Sequence, residues 1–140
     1  MCMRQAYAYD ENTVAFFTKQ IIQGLEYLHH FDMTHGNLKA ANVYVRAEGT
    51  CQLADFGRIY PKLDKQTCIN AQNYHWTAPE LLQKGDYNVV NSFHDIWSLG
   101  CTVFELITGY PPWHMEESKM SLLMKITYAN GVPDYPENIS

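Results

Sequence analysis

The segment from Asp95 to about Thr108 most constrains what this chain can fold into. Ile96, Leu99, Val103, Leu106 and Ile107 recur at helical spacing and form an apolar stripe. Trp97 and Phe104 fall off that stripe, so the helix is apolar on nearly every side. Such a helix is stable only when other elements surround it. Gly109 stands at its C′ position, and Pro111-Pro112 cannot continue it. The rest of the chain must be arranged around one deeply buried helix.

Residues 1–9 read as irregular. Asp10 or Asn12 can cap a helix, because a short side-chain oxygen accepts from an orphan amide at a helix start. Val14, Phe17, Ile21, Leu25 and Leu28 then recur at three- and four-residue steps, predicting a helix with one buried face to about Phe31. Val43-Tyr44-Val45 and Cys51-Gln52-Leu53 are short β-type runs around the turn-forming Glu48-Gly49-Thr50, which predicts a hairpin. A polar stretch from Asp55 to about Pro79 follows, and loops of that length in compact domains tend to be functional. A third helix over about Glu116 to Ala129 carries Met120, Leu123 and Met124 and stops at Gly131. The expected class is mainly α with a small β-hairpin.

At 140 residues the chain suits one domain with a real core. With 46% apolar and 14% aromatic residues it is not a disordered composition. A formal charge of −5 excludes a sequence-independent grip on nucleic acid, which needs a basic face. No run approaches the roughly 20 apolar residues of a membrane span, and the N-terminus has no apolar signal-peptide core. Neither nucleic acid nor membrane is an expected partner. Cys2, Cys51, Cys68 and Cys101 show no C-x-x-C pair, so reduced thiols in a cytoplasmic protein are expected.

Short motifs occur in fixed order within this frame. His35-Gly36-Asn37-Leu38-Lys39-Ala40-Ala41-Asn42 follows the first helix, and Asp55-Phe56-Gly57 follows the hairpin. Ala78-Pro79-Glu80 closes the long loop, and Asp95-Ile96-Trp97-Ser98-Leu99-Gly100 opens the second helix. Singly these are weak matches; together they resemble the signature set of eukaryotic protein kinases. The run from Thr102 to Trp113 looks like the serine/threonine kinases of the mitogen-activated kinase cascades. The resemblance implies that residues 1–140 form most of a kinase C-terminal lobe, with the N-terminal lobe and the last helices absent. An Arg in those helices normally pairs the residue at Glu80.

The resemblance also implies roles. Asn42 and Asp55 match the two magnesium positions, and Lys39 matches the lysine that steadies the transferring phosphate of ATP. Tyr44 falls where the family usually has Leu beneath the adenine ring; it either packs aside or partly fills that pocket. His35 and Phe56 match two members of a spine of stacked side chains. Asp95 matches a buried Asp that receives loop amides.

Asn37 is the departure that matters. The family has an Asp there, which takes the substrate hydroxyl's proton. A carboxamide is far too weakly basic for that, and its NH₂ presents donors where a lone pair is needed. General-base help is worth about 10²–10⁴ in rate. Gly36 replaces an Arg that clamps a phosphate on the loop, so Thr67 has lost that receptor as a phosphosite. Gln72-Asn73 stands where the family has Gly-Thr, and Asn37 and Asn73 are expected to lie near each other. His29, His30, His75, His94 and His114 show no metal-ligand spacing and are expected to be ordinary helix-end or surface histidines.

Three functional readings follow: an impaired, kinase-like module that binds protein partners through residues 55–80 and 116–129; a slow but working serine/threonine kinase acting on protein substrates with ATP and magnesium; or a truncated product with half of the nucleotide cleft missing.

Overall fold

A computed structural model describes residues 8–56, 73–84, 91–128 and 133–134. Thr67, Gln72, Gly57, Cys2, Cys68, Ala129, Gly131 and most of the loop 55–80 lie outside the described residues.

Helix α1 spans Glu11–His30, capped by Asp10, whose carboxylate accepts from the Thr13 amide at 3.1 Å and its hydroxyl at 2.6 Å. Val14, Phe17, Ile21 and Leu25 form its buried face as the spacing predicts, and Leu28 is half-buried. Strands β1, Val43–Val45, and β2, Cys51–Leu53, pair antiparallel with Val43 opposite Leu53. Gln20 of α1 fastens the hairpin: its Oε1 accepts the Cys51 amide at 2.9 Å, and its Nε2 donates to the Gly49 carbonyl at 3.2 Å. At Gly24 any Cβ would lie 2.9 Å from a Leu53 methyl, so the missing side chain lets α1 lie directly on β2.

Three short helices among the described residues were not expected from sequence: 3₁₀ turns at Ala40–Asn42 and Tyr74–Trp76, and α2, Pro79–Lys84, with Pro79 at the first position, where a missing N–H costs nothing.

Helix α3 spans Ser92–Thr108 and begins a turn earlier than the apolar stripe predicts. Asn91 accepts from the Phe93 amide at 3.0 Å, while its own amide donates to His94 Nδ1 at 2.9 Å, a reciprocal cap. The expected stripe needs one correction: Ile96 is 54% exposed. The buried sector runs through Asp95, Leu99, Thr102, Glu105 and Leu106 instead. Asp95 points inward to collect loop amides, and each residue turns a helix by about 100°, so Ile96 faces out. Polar residues thus mark part of the buried face, a pattern that apolar periodicity misses.

Helix α4 covers Lys119–Tyr128, because a turn closed by the Glu116 amide on the Trp113 carbonyl precedes it. Its expected apolar positions are also corrected. Met120 and Met124 are 67% and 58% exposed, while Leu122 and Ile126 are buried where α4 meets α2 and the Tyr74–Trp76 turn. The core joins Val14, Phe17, Ile21 and Leu25 of α1 to Leu38, Ala40 and Val43 and to Leu99 and Leu106 of α3. The molecule is mostly helical with one two-stranded antiparallel sheet.

Candidate functional site

The loop after α1 is held by the buried carboxylate of Asp95. Its Oδ2 accepts the His35 amide at 2.8 Å and faces His29 Nε2 at 2.8 Å; its Oδ1 accepts the Gly36 amide at 2.9 Å. Three donors on one carboxylate, 1% exposed, satisfy the requirement that a buried charge be paired. Gly36 has φ +68°, the left-handed region that side-chain-bearing residues enter only at a cost. The glycine therefore does more than remove a cation; it relaxes the backbone between His35 and Asn37.

His35 is fully buried, with its ring 4.8 Å from that of Phe56. Burial pushes its imidazole pKa down, partly offset by the charge of Asp95. The ring is neutral, and Nδ1 accepts the Asn37 amide at 3.2 Å.

The Asn37 side chain stands among the other expected site residues. Its Nδ2 donates to the Asp55 backbone carbonyl at 3.0 Å and to the Asp55 carboxylate at 3.1 Å. Its Oδ1 accepts from Asn73 Nδ2 at 2.8 Å, so the two amides are neighbours. Asn73 Oδ1 in turn accepts the Lys39 ammonium at 2.9 Å. Asn42 Nδ2 donates to the Asn37 carbonyl at 2.7 Å, and the Asn42 carbonyl accepts the Ala54 amide at 3.0 Å. Asn37, Lys39, Asn42 and Asp55 therefore converge on one loop junction. Asp55 reaches it with φ +55°, a left-handed conformation that Asp tolerates better than most residues. Tyr44 lies apart from this cluster. It alternates with buried Val43 on β1 and is 43% exposed on the hairpin's other face.

The junction rests on Glu105 of α3, which sequence reasoning overlooked. One oxygen, Oε2, accepts both the Ala40 amide at 3.1 Å and the Trp76 indole N–H at 3.0 Å. Burial raises the Glu105 pKa, against the pull of those donors and of the Lys39 charge. Lys39 also lies 5.7 Å over the Trp76 ring. The available signal was a carboxylate set among Val103, Phe104, Leu106 and Ile107 near the end of α3.

His29, His30 and His94 lie at helix ends as expected, but three of the five histidines are more engaged than a surface reading implies. His29 faces Asp95, and His75 Nδ1 donates to the Pro112 carbonyl at 2.7 Å. His94 is buried, using Nδ1 in the α3 cap and placing Nε2 3.3 Å from the Glu80 carboxylate. That imidazole is the partner Glu80 has among the described residues. His30 and His114 are exposed as expected. Cys51 is half-buried and Cys101 buried, both free thiols, with burial pushing the Cys101 pKa up to about 12.

Asp55 and Asn42 offer the hard oxygens a magnesium ion requires, and with Asn42 Nδ2 engaged its Oδ1 is the atom left to ligate. The donor set fits, although Asn37 already engages one Asp55 oxygen. No cluster of three His, Cys, Asp or Glu side chains suited to a metal occurs among the described residues. No helix among them is long and apolar enough to cross a membrane.

An Asp-anchored loop, a helix beneath it and a short hairpin leading to Asp55-Phe56 define a protein-kinase-like lobe. The chain belongs to the protein kinase domain family, which it matches over residues 1–138. It is 37% identical over 139 residues to mitogen-activated protein kinase kinase kinase 2 of Arabidopsis thaliana, covering 95% of this chain and 21% of that protein. To mitogen-activated protein kinase kinase kinase A of Dictyostelium discoideum it is 32% identical over 135 residues, 95% of this chain and 14% of that protein. To mitogen-activated protein kinase kinase kinase 9 of Arabidopsis thaliana it is 38% identical over 136 residues, with 96% and 17% covered. The chain spans about a fifth or less of the length of these relatives.

Proposed function

We propose that residues 1–140 are the C-terminal-lobe part of a kinase domain of the mitogen-activated kinase kinase kinase type, impaired in phosphoryl transfer and acting chiefly as an interaction module. The observation that carries this is the orientation of Asn37. Its NH₂ faces Asp55, and its oxygen is already bonded to Asn73. Neither atom offers the basic lone pair that proton removal from a substrate hydroxyl requires.

ATP and magnesium remain the expected ligands. Asp55 and Asn42 would hold the cation, Lys39 would meet the phosphates, and Tyr44 would lie against the adenine. A bound magnesium ion would neutralise charge developing on the phosphates. The chain's own contribution is positioning: Asp95 fixes the loop backbone, Glu105 fixes Ala40 beside Lys39, and Asn37 ties the loop to Asp55. Protein segments would dock on residues 55–80 and 116–129.

The presence of Lys39, Asn42 and Asp55 supports a second reading, a slow serine/threonine kinase that tolerates Asn37. Turnover separates the two. Phosphate transfer from ATP is measured for the full-length product and for its Asn37→Asp variant. An impaired domain gains at least about 10² in rate from the restored carboxylate. Equal rates would defeat the proposal in favour of the slow kinase.

A further inference from the structure

The polarity of the chain Lys39–Asn73–Asn37–Asp55 is fixed from both ends. An ammonium only donates, so Asn73 must turn its oxygen to Lys39 and its NH₂ to Asn37. Asn37 must then turn its oxygen to Asn73, which leaves its NH₂ for Asp55. A carboxylate only accepts, so the far end agrees. Neither amide can flip without breaking bonds at both of its ends.

We propose that Asn37, oriented by Asn73, is a built-in competitor for the cation at Asp55. An N–H donor and a divalent cation seek the same carboxylate lone pairs. Asp55 and Asn42 would hold such a cation, and the Asn37 amide would then have to leave Oδ2 or share a carboxylate it already partly neutralises. Asn73 is the positioning residue, because without it the Asn37 amide loses the contact that fixes its oxygen and is held only by its two bonds to Asp55. The site therefore holds magnesium more weakly than its oxygen donors alone would allow, and binding of a nucleoside triphosphate depends less on the cation than the donor set suggests.

The inference takes the identity of the cation from the proposed function. Its test reads cation binding, not phosphate transfer, so the two can fail separately. Mn²⁺ serves as the probe, titrated into the full-length product and followed by loss of the free-ion electron paramagnetic resonance signal. Asn37→Ala is expected to bind Mn²⁺ about three- to tenfold more tightly than the unaltered protein, the size of one released hydrogen bond, and Asn73→Ala to bind it more tightly by a smaller factor. Asp55→Asn is expected to lose this binding, which assigns it to the site. Unchanged or weaker binding in the two alanine variants overturns the proposal, as does Mn²⁺ binding that survives Asp55→Asn. Circular dichroism checks that each variant folds; if Asn37→Ala does not, Asn73→Ala decides alone.

Discussion

Glu105 Oε2 accepts the indole N–H of Trp76 at 3.0 Å while also holding the Ala40 amide at 3.1 Å. One buried oxygen thereby joins α3 to the loop that carries Lys39 and to the turn that follows Asn73. Glu105→Ala leaves two buried donors unsatisfied and is expected to cost about 2–4 kcal/mol in urea unfolding. Glu105→Gln keeps an acceptor in place and is expected to cost less than half as much. Equal losses for the two substitutions would show that packing, not acceptance, is what Glu105 provides.

The same carboxyl should shape the acid response. Burial raises its pKa above 4.5, so the folded state holds this proton more tightly than the unfolded state. Its contribution to stability is greatest at low pH and declines as pH rises through the raised pKa. His35 acts in the opposite sense. Its folded pKa lies below 6.5, so the unfolded state binds that proton more readily, and stability is lost as pH falls below about 6.5. Urea midpoints at pH 7.5, 6.5 and 5.5 are expected to decline toward acid in the unaltered protein. The decline should be smaller in His35→Phe. An identical decline in both proteins would remove His35 as its source.

Much of the frame was legible in the sequence because strong, local signals carry it. The α1 face from Val14 to Leu25 and the hairpin around Gly49 follow from period and turn chemistry alone. The ordered motifs place Asn37, Asn42 and Asp55 in one site, and their meeting at one junction is a long-range fact that spacing cannot supply. What was not legible shares one cause. Ile96 faces solvent because Asp95 needs the interior, and His94 is buried because it closes a cap and meets Glu80. Met120 and Met124 are exposed because α4 turns Leu122 and Ile126 toward α2. Burial at these places is decided by partners distant in sequence, and apolar periodicity does not register polar residues that are buried by being bonded.

Gly36 offers a backbone test. With φ +68°, a residue bearing a Cβ is strained there by about 1–2 kcal/mol. Gly36→Ala should lower stability by about that amount, and Gly36→Asn by less, since Asn tolerates the left-handed region better. Arginine, the residue the family resemblance implies at this position, should behave like Ala or worse in thermal unfolding. If Gly36→Ala is neutral, the loop can relax and the glycine is there only through loss of the cation.

Asn37→Asp carries a consequence for stability distinct from its effect on rate. The Asn37 NH₂ now lies 3.1 Å from the Asp55 carboxylate. Aspartate in that place keeps its acceptor for Asn73 and sets a second carboxylate against the first. Two like charges so close raise the pKa of one of them and oppose the folded state at neutral pH. With chelator present, the variant is expected to unfold roughly 3–6 °C below the unaltered protein, equivalent to about 1–2 kcal/mol. Divalent cation should reverse that loss by neutralising the pair, so added Mg²⁺ or Mn²⁺ raises the Tm of the variant more than that of the unaltered protein. Lowering the pH to about 5 without metal should also narrow the gap, because a shared proton does part of the cation's work. A variant whose Tm matches the unaltered protein in chelator, and responds no more strongly to cation, would mean that the Asn37 amide does not face the Asp55 carboxylate.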